Sequence, residues 1–282
     1  MIKKILLSCF AIMPFYGQAE QFQPALTDTQ WSLVNTPIEC GLSQPIRDFG
    51  SAKFSQISGY PFSLIYQTNT QPTRQGTVTF EIAQAPWQNS EQREDPVIVQ
   101  TKQGQITFRI EGVNARQALS HLSEGRFPTI FYLSQHSNQE INVLMSTVHL
   151  QDYLPQFEAC LVTLLPYSFE DIQNLTINFE LEKAELGELE KLALMRVVKF
   201  VEADPSIRKI ALAGHTDNHG RKRLNQALSD ARATVVKNFL IDSGVSESLI
   251  AISSYLELIP VMSNKTQTGR AHNRRTEIKV FR

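Results

Sequence analysis

The chain has 282 residues, 42% of them hydrophobic and 20% charged, with 27 Lys and Arg against 28 Asp and Glu. That length is enough for two ordinary domains, each with a core of its own. A formal net charge of −1 argues against a nucleic-acid surface, which normally carries a basic excess.

The first residues have the layout of an export signal. Lys3-Lys4 precede an apolar run from Ile5 to Phe15, and Gly17-Gln18-Ala19 supply small residues at alternate positions. This reads as a secretory signal peptide, residues 1–19, cleaved after Ala19. The apolar run is too short to cross a bilayer as a helix, which takes about 20 residues. Leu7-Ser8-Cys9 comes too early for a lipoprotein cleavage site, so Cys9 is expected to leave with the leader. Loss of Lys3 and Lys4 leaves 25 cations against 28 acids, a net charge of −3. No later apolar run approaches membrane length, so the mature chain is expected to be soluble and without a membrane span.

Cys40 and Cys160 then remain. In an oxidising compartment an isolated pair is most simply a disulfide within one domain. The alternatives are two unrelated buried thiols or a metal pair, and no paired histidines complete a zinc set.

From Trp31 to Val148 the pattern is mostly strand-like. Val78, Phe80 and Ile82 alternate with polar neighbours, as do Ile106, Phe108 and Ile110, and further strands are expected over Ile130–Leu133 and Ile141–Val148. Thr70–Gly76 and similar Gly, Pro, Asn and Gln clusters suit turns between antiparallel strands. Short helices are expected over Ala115–Leu122 and from Asp152 through Leu164. Residues 20–168 therefore read as a β-rich, barrel- or sandwich-like domain. The rhythm changes after Tyr167. A strand over Leu175–Glu180 precedes a helix from about Glu185 to Val201, with Leu189, Ala193, Val197 and Phe200 as its apolar face. Ile210 and Leu212 alternate into Gly214. A second helix runs from Lys222 to Ser243, its apolar face expected from Leu224, Leu228, Ala231, Val235 and Phe239, and Gly244 ends it. Ile250–Tyr255 and Thr276–Phe281 supply the last strands. Residues 169–282 thus form a two-layer α/β domain, and the chain as a whole is α+β.

Asn225, Ser229 and Arg232 form a polar stripe one residue offset from Leu224, Leu228 and Ala231. Asp217, on the loop before that helix, can accept from an ammonium, and Arg232 can offer a planar fork to a carboxylate. Together they suit a free amino-acid head. Taken alone, the two can equally pair with each other and staple loop to helix. His215 and His219 are four apart but bracketed by Gly214 and Gly220, and no Glu follows His215, so they read as solvent-facing loop histidines and not a zinc pair. Gly-x-Ser-x-Gly is absent. The carboxylates Glu180, Glu182, Glu185, Glu188 and Glu190 read as a solvated run, not a facing pair of glycosidase acids. No catalytic residue, cofactor or metal is expected.

Gly214-His215-Thr216-Asp217, Asn225, Leu228-Ser229, Arg232-Ala233, Gly269-Arg270 and Asn273-Arg274-Arg275-Thr276-Glu277 resemble the OmpA-like peptidoglycan-binding domain. The resemblance implies that Asp217 and Arg232 hold diaminopimelate, with Thr216, Asn225 and Arg275 in support. Phe179-Glu180 stands where that family often has Phe-Asp. In the N-terminal half, Thr36-Pro37-Ile38-Glu39-Cys40, Arg47-Asp48-Phe49-Gly50-Ser51-Ala52-Lys53-Phe54, Gly125-Arg126-Phe127-Pro128-Thr129 and Phe157-Glu158-Ala159-Cys160 resemble the MotY family. MotY proteins are periplasmic T-ring components of sodium-type polar flagellar motors. The resemblance implies a non-catalytic anchor between the flagellar basal body and peptidoglycan, with a MotX-like partner and a PomA/PomB-type stator nearby. The alternative is an OmpA-like envelope anchor tying a non-flagellar assembly to the wall.

Overall fold

The computed structural model describes residues 19–25, 27, 29–83, 96–137 and 139–282. The expected signal peptide up to residue 18, Cys9 included, lies outside the described residues. The chain divides into two compact units: residues up to Leu33 with Gly41–Ser55 and Phe62–Pro155, and Val34–Cys40 with Gln56–Pro61 and Gln156–Arg282.

The first ten strands are β1 (Glu20–Phe22), β2 (Ser32–Asn35), β3 (Glu39–Ile46), β4 (Gly50–Ile57), β5 (Ser63–Thr68), β6 (Gly76–Ala83), β7 (Val97–Thr101), β8 (Thr107–Glu111), β9 (Phe127–Leu133) and β10 (Glu140–Leu144), with helix α1 (Val113–Ser123) between β8 and β9. They form two five-stranded sheets, ordered β1-β10-β9-β6-β7 and β2-β3-β4-β5-β8. Strands β8 and β10 alternate along their whole length as half-buried strands do, and β3 does so over its second half. In β3, Leu42, Gln44 and Ile46 are buried while Ser43 and Pro45 are not. The buried sets meet: the Phe108 and Tyr132 rings lie 4.7 Å apart, and Tyr66 donates its hydroxyl to the Pro128 carbonyl at 2.9 Å. Burial pushes the Tyr66 phenol well above its ordinary value, so it stays a neutral donor.

The strand expected over Ile141–Val148 ends at Leu144. There the buried Gln44 amide replaces the ladder, accepting from Ser146 N at 2.8 Å and donating to Ser146 O at 3.0 Å. A side chain that satisfies both backbone groups removes the need for a strand partner.

Helix α2 (Leu150–Thr163) is followed by α3 (Glu170–Gln173), β11 (Asn174–Asn178), α4 (Glu188–Ala203), β12 (Lys209–His215), α5 (Lys222–Asp242), β13 (Ile250–Leu256), α6 (Gln267–Asn273) and β14 (Arg275–Phe281). The sheet order is β11-β14-β12-β13, with β12 and β13 parallel and the other pairs antiparallel. Its core gathers Ile177, Leu194, Val197, Phe200, Ile210, Leu212, Val236, Leu240, Ile278 and Val280. Gly244, at φ +105°, closes α5 in the left-handed region where glycine carries no Cβ penalty. Cys40 and Cys160 are joined by a disulfide, with 5.8 Å between their Cα atoms, and both lie in the second unit.

Two apolar faces differ from expectation. On α4 the buried residues are Leu194, Val197, Val198 and Phe200, whereas Leu189 is exposed. Leu189 lies in the first turn, before the helix reaches the core. On α5 the stripes are exchanged: Asn225, Ser229 and Arg232 are buried with Ala233, Val236 and Leu240, while Leu224 is 63% exposed. The first turns of α5 lie over the polar ends of β12 and β13, where backbone and hydroxyl groups need partners.

Candidate functional site

The candidate site forms where β12 ends and α5 begins. A Cβ on Gly214 would lie 2.2 Å from the Ser229 carbonyl oxygen, so only glycine lets this strand end approach the helix backbone so closely. Ser229 fixes the junction. Its hydroxyl donates to the Gly214 carbonyl at 2.7 Å and accepts from Ser254 Oγ at 2.6 Å.

Asp217 is held from two sides. Its Oδ1 accepts from His219 N at 3.0 Å, an Asx-type turn, and its Oδ2 accepts from Arg274 Nη1 at 3.0 Å. The pair is largely sheltered, with the Asp217 side chain 5% and the Arg274 side chain 13% exposed. Arg274 is anchored in turn by Nε donating to the Phe179 carbonyl. Asn225 donates to the Asp217 carbonyl at 3.3 Å and to Glu257 Oε2 at 3.2 Å. Thr216 is buried, and its Oγ1 has no hydrogen-bond partner.

Arg232 is fully buried beneath this group. Nε donates to Lys183 O at 3.0 Å, Nη1 to His215 O at 3.0 Å and Nη2 to Glu180 O at 3.1 Å. Its guanidinium also lies 5.3 Å from the Phe179 ring centroid. Burial, and next the Arg274 cation, lower its pKa to about 10 against the pull of Asp217, so it remains charged at neutral pH. Three of its five N–H groups therefore serve backbone carbonyls. Glu180 contributes its carbonyl here, while its side chain is exposed.

Asp217, Thr216, Asn225, Arg232 and Arg274 border a cavity of about 530 Å³. Its opposite wall is apolar, made by Leu181 with Leu224, Leu228 and Ala231 of α5. The stripe expected to be core is thus the greasy wall of the cavity. Arg275 points elsewhere: it bonds Glu277 at 2.6 Å and the Ile259 carbonyl at 3.1 Å. Consecutive residues entering a strand face opposite sides, so Arg274 alone of the two reaches the cavity. The resemblance put Arg275 in support of the site, whereas Arg274 is the one that lines the cavity, and that alternation was the available signal.

His215 corrects a second expectation. It is 2% exposed, not solvent-facing, and stacks on Tyr255 with ring centroids 5.5 Å apart. Burial first, and the Arg275 cation second, lower its pKa to about 4 despite Glu277. Burial opposes ionisation of Glu277, but the Arg275 hydrogen bond and charge hold its pKa below the ordinary value. His219 is exposed, as expected. Among the described residues no group of three His, Cys, Asp or Glu side chains is placed to hold a metal, and no helix is long and apolar enough to cross a membrane.

With that geometry in place, the chain matches the MotY N-terminal domain over residues 22–166 and the OmpA family over residues 178–274. It is similar to the sodium-type flagellar protein MotY of Vibrio parahaemolyticus, 29% identical over 99% of this chain and 96% of that protein. It is also similar to the peptidoglycan-binding protein ArfA of Mycobacterium tuberculosis, 40% identical over 31% of this chain and 26% of that protein. Among solved structures it is similar to the peptidoglycan-associated lipoprotein of Burkholderia pseudomallei, 23% identical with a TM-score of 0.36, over 38% of this chain and 89% of that one. The MotY and OmpA families consist of non-catalytic structural proteins. Because residues 22–166 make up just over half of the 282-residue chain, the protein belongs to the family of the MotY N-terminal domain, with an OmpA-family domain following it.

Proposed function

We propose that this protein is a periplasmic, non-catalytic component of a flagellar motor that anchors the basal body to peptidoglycan. The observation that carries the reading is the cavity beside Asp217. A diaminopimelate side arm ends in a zwitterionic head on a short methylene chain. Its ammonium goes to Asp217 in place of Arg274, its carboxylate goes to the released Arg274 with the remaining N–H groups of Arg232 behind it, and its methylenes lie on Leu224, Leu228 and Ala231. Thr216 and Asn225 shape the floor, and Arg275 supports the strand end from outside the cavity.

The exchange is close to balanced, because an existing ion pair is lost as two new charge-assisted contacts form, each worth about 1.5–3 kcal/mol. The resulting weak single-site affinity suits a ring of copies on one polymer, where avidity supplies the hold. The N-terminal domain, residues 20–168, takes the basal-body side, with a MotX-like ring partner and a PomA/PomB-type stator beside it. The MotY relative that aligns along nearly its full length supports this assignment.

The test is co-sedimentation of the mature protein with purified sacculi, wild type beside Asp217→Ala, together with swimming of a strain lacking the gene. Pelleting that needs Asp217 and a non-swimming deletion support the reading. Equal pelleting of both proteins refutes the cavity as the wall site, and normal swimming refutes the flagellar role.

A further inference from the structure

Strand β13 ends beside the candidate site in a strained turn. Gly214 pairs with Ser254 and His215 with Leu256, so Tyr255 is an extra residue, a bulge at the strand end. Leu258 N then donates to the Tyr255 carbonyl at 3.0 Å and closes a four-residue turn. Of its two central residues, Leu256 alone has a positive φ, +51°. A type II′ turn ordinarily has glycine at that position, because in the left-handed region a Cβ crowds the following carbonyl oxygen. A buried leucine keeps such a geometry only where its surroundings fix it. Here they do. Leu256 N donates to Ser229 Oγ at 3.4 Å, and the Leu256 carbonyl accepts from Thr216 N at 2.9 Å.

The strained residue aims the next one at the site. Glu257 Oε2 accepts from Asn225 Nδ2 at 3.2 Å, and the same nitrogen donates to the Asp217 carbonyl at 3.3 Å. Both N–H groups of the amide are thus engaged, and both partners are oxygens. A flipped amide would set Oδ1 against two acceptors, so the side chain has one orientation. The turn therefore grips Thr216-Asp217 at both ends. Its Leu256 carbonyl takes Thr216 N directly, and its Glu257 carboxylate acts on the Asp217 carbonyl through Asn225. Thr216, Asp217 and Asn225 border the cavity, while Glu257 stands behind them, outside its lining.

We infer that Glu257 is a positioning residue for the peptidoglycan site, an assignment that rests on the peptidoglycan-binding reading above. It touches no ligand. By holding Asn225 in one orientation it keeps the Asp217 carbonyl in place, and so fixes where the Asp217 carboxylate meets an ammonium. Without Glu257 one Asn225 N–H turns to water, the amide rotates, and the Asp217 carbonyl loses a fixed donor. The ammonium end of the site then loosens, and each binding event carries the cost of ordering it again. The carboxylate end, built on Arg274 and Arg232, is untouched.

The test is calorimetry on the mature full chain with two probes, meso-diaminopimelate and the diamine cadaverine, at a temperature where every variant is folded. Glu257→Ala should weaken both by the same factor, about threefold or more, because both present an ammonium to Asp217. Glu257→Gln keeps a side-chain oxygen for Asn225 and should bind both within about twofold of wild type. In an Asn225→Ala background, Glu257→Ala should change neither affinity by more than about 1.5-fold, since the relay is already broken. Wild-type affinity in Glu257→Ala overturns the inference. So does an equal loss in Glu257→Gln, which would make the charge and not the hydrogen bond responsible, and so does a full further loss in the Asn225→Ala background. If wild type itself binds neither probe, the peptidoglycan-site reading falls and this assignment falls with it.

Discussion

Replacing Arg232 by alanine should destabilise the second unit before it says anything about ligand binding. The side chain is fully buried and donates to the carbonyls of Glu180, Lys183 and His215, which lie on two separate stretches of chain. Hydrogen bonds from charged donors contribute about 1.5–3 kcal/mol each, and unmet buried acceptors add their desolvation cost. Deletions within one network are not additive, so the sum is discounted to about 4 kcal/mol. Against a domain stability of about 5–15 kcal/mol, that is a large fraction. With a urea slope of about 2 kcal/mol/M, the midpoint for the second unit should fall by about 2 M with its slope unchanged. Arg232→Lys should lose most of the same stability, because a point ammonium cannot span three divergent carbonyls. Equilibrium urea unfolding of the mature protein, followed by circular dichroism, measures this. A midpoint shift under about 0.5 M for Arg232→Ala would refute the reasoning and return Arg232 to the role of an available fork. Loss of sacculus pelleting in an Arg232 variant is therefore weak evidence of contact unless the folded fraction is matched.

Leu224→Asp places a carboxylate on the exposed apolar wall of the cavity, and should weaken sacculus co-sedimentation at least fivefold while leaving the melting temperature within about 2 °C. Breaking the bridge with Cys160→Ser opens a loop of 120 residues, for which the chain-entropy model gives up to about 5 kcal/mol. Urea unfolding should show the loss in the second unit, which holds both cysteines, and reducing agent should reproduce it in wild type. His215 sets an acid limit: its folded pKa of about 4 lies below the ordinary 6.5, so the unfolded chain binds the proton first. Stability is then full above pH 6.5 and falls as pH drops toward 4, by about 3 kcal/mol in all. His215→Gln, unfolded by urea at pH 7 and pH 4.5, should lose less stability on acidification than wild type does.

Much of the fold was legible because periodicity reports spacing directly. The strand from Ile210 into Gly214 and the helix ending at Gly244 are where pattern and punctuation place them. Periodicity does not say which of two adjacent stripes is buried. On α5 it offered Leu224, Leu228 and Ala231 beside Asn225, Ser229 and Arg232, and hydrophobicity pointed to the first. The structure buries the second, because Ser229 meets the Gly214 carbonyl and Arg232 meets three more. Those acceptors come from residues far away in sequence, so no local window contains them. The same holds for Arg274, whose partner Asp217 lies 57 positions earlier.

The exchange of stripes also bears on how the site works. A polar stripe buried against strand ends is rigid, since each group in it is fixed by a bond that costs free energy to break. The apolar stripe it displaces outward then forms one wall of a cavity whose other wall carries the Asp217–Arg274 pair. Rigid surroundings matter more here than strong contacts. An anchor with many weak attachments holds only if each copy is ready to bind without reordering, because any ordering penalty is repeated at every site. In the proposed exchange, the one step that must move is the release of Asp217 by Arg274, and Arg274→Ala isolates it. Without its internal cation, Asp217 is open to an ammonium but has lost the group that takes the carboxylate. Binding of a free amine such as cadaverine should then rise relative to diaminopimelate, measured by calorimetry on the mature protein. If the two ligands keep their wild-type ratio, Arg274 takes no part in the exchange.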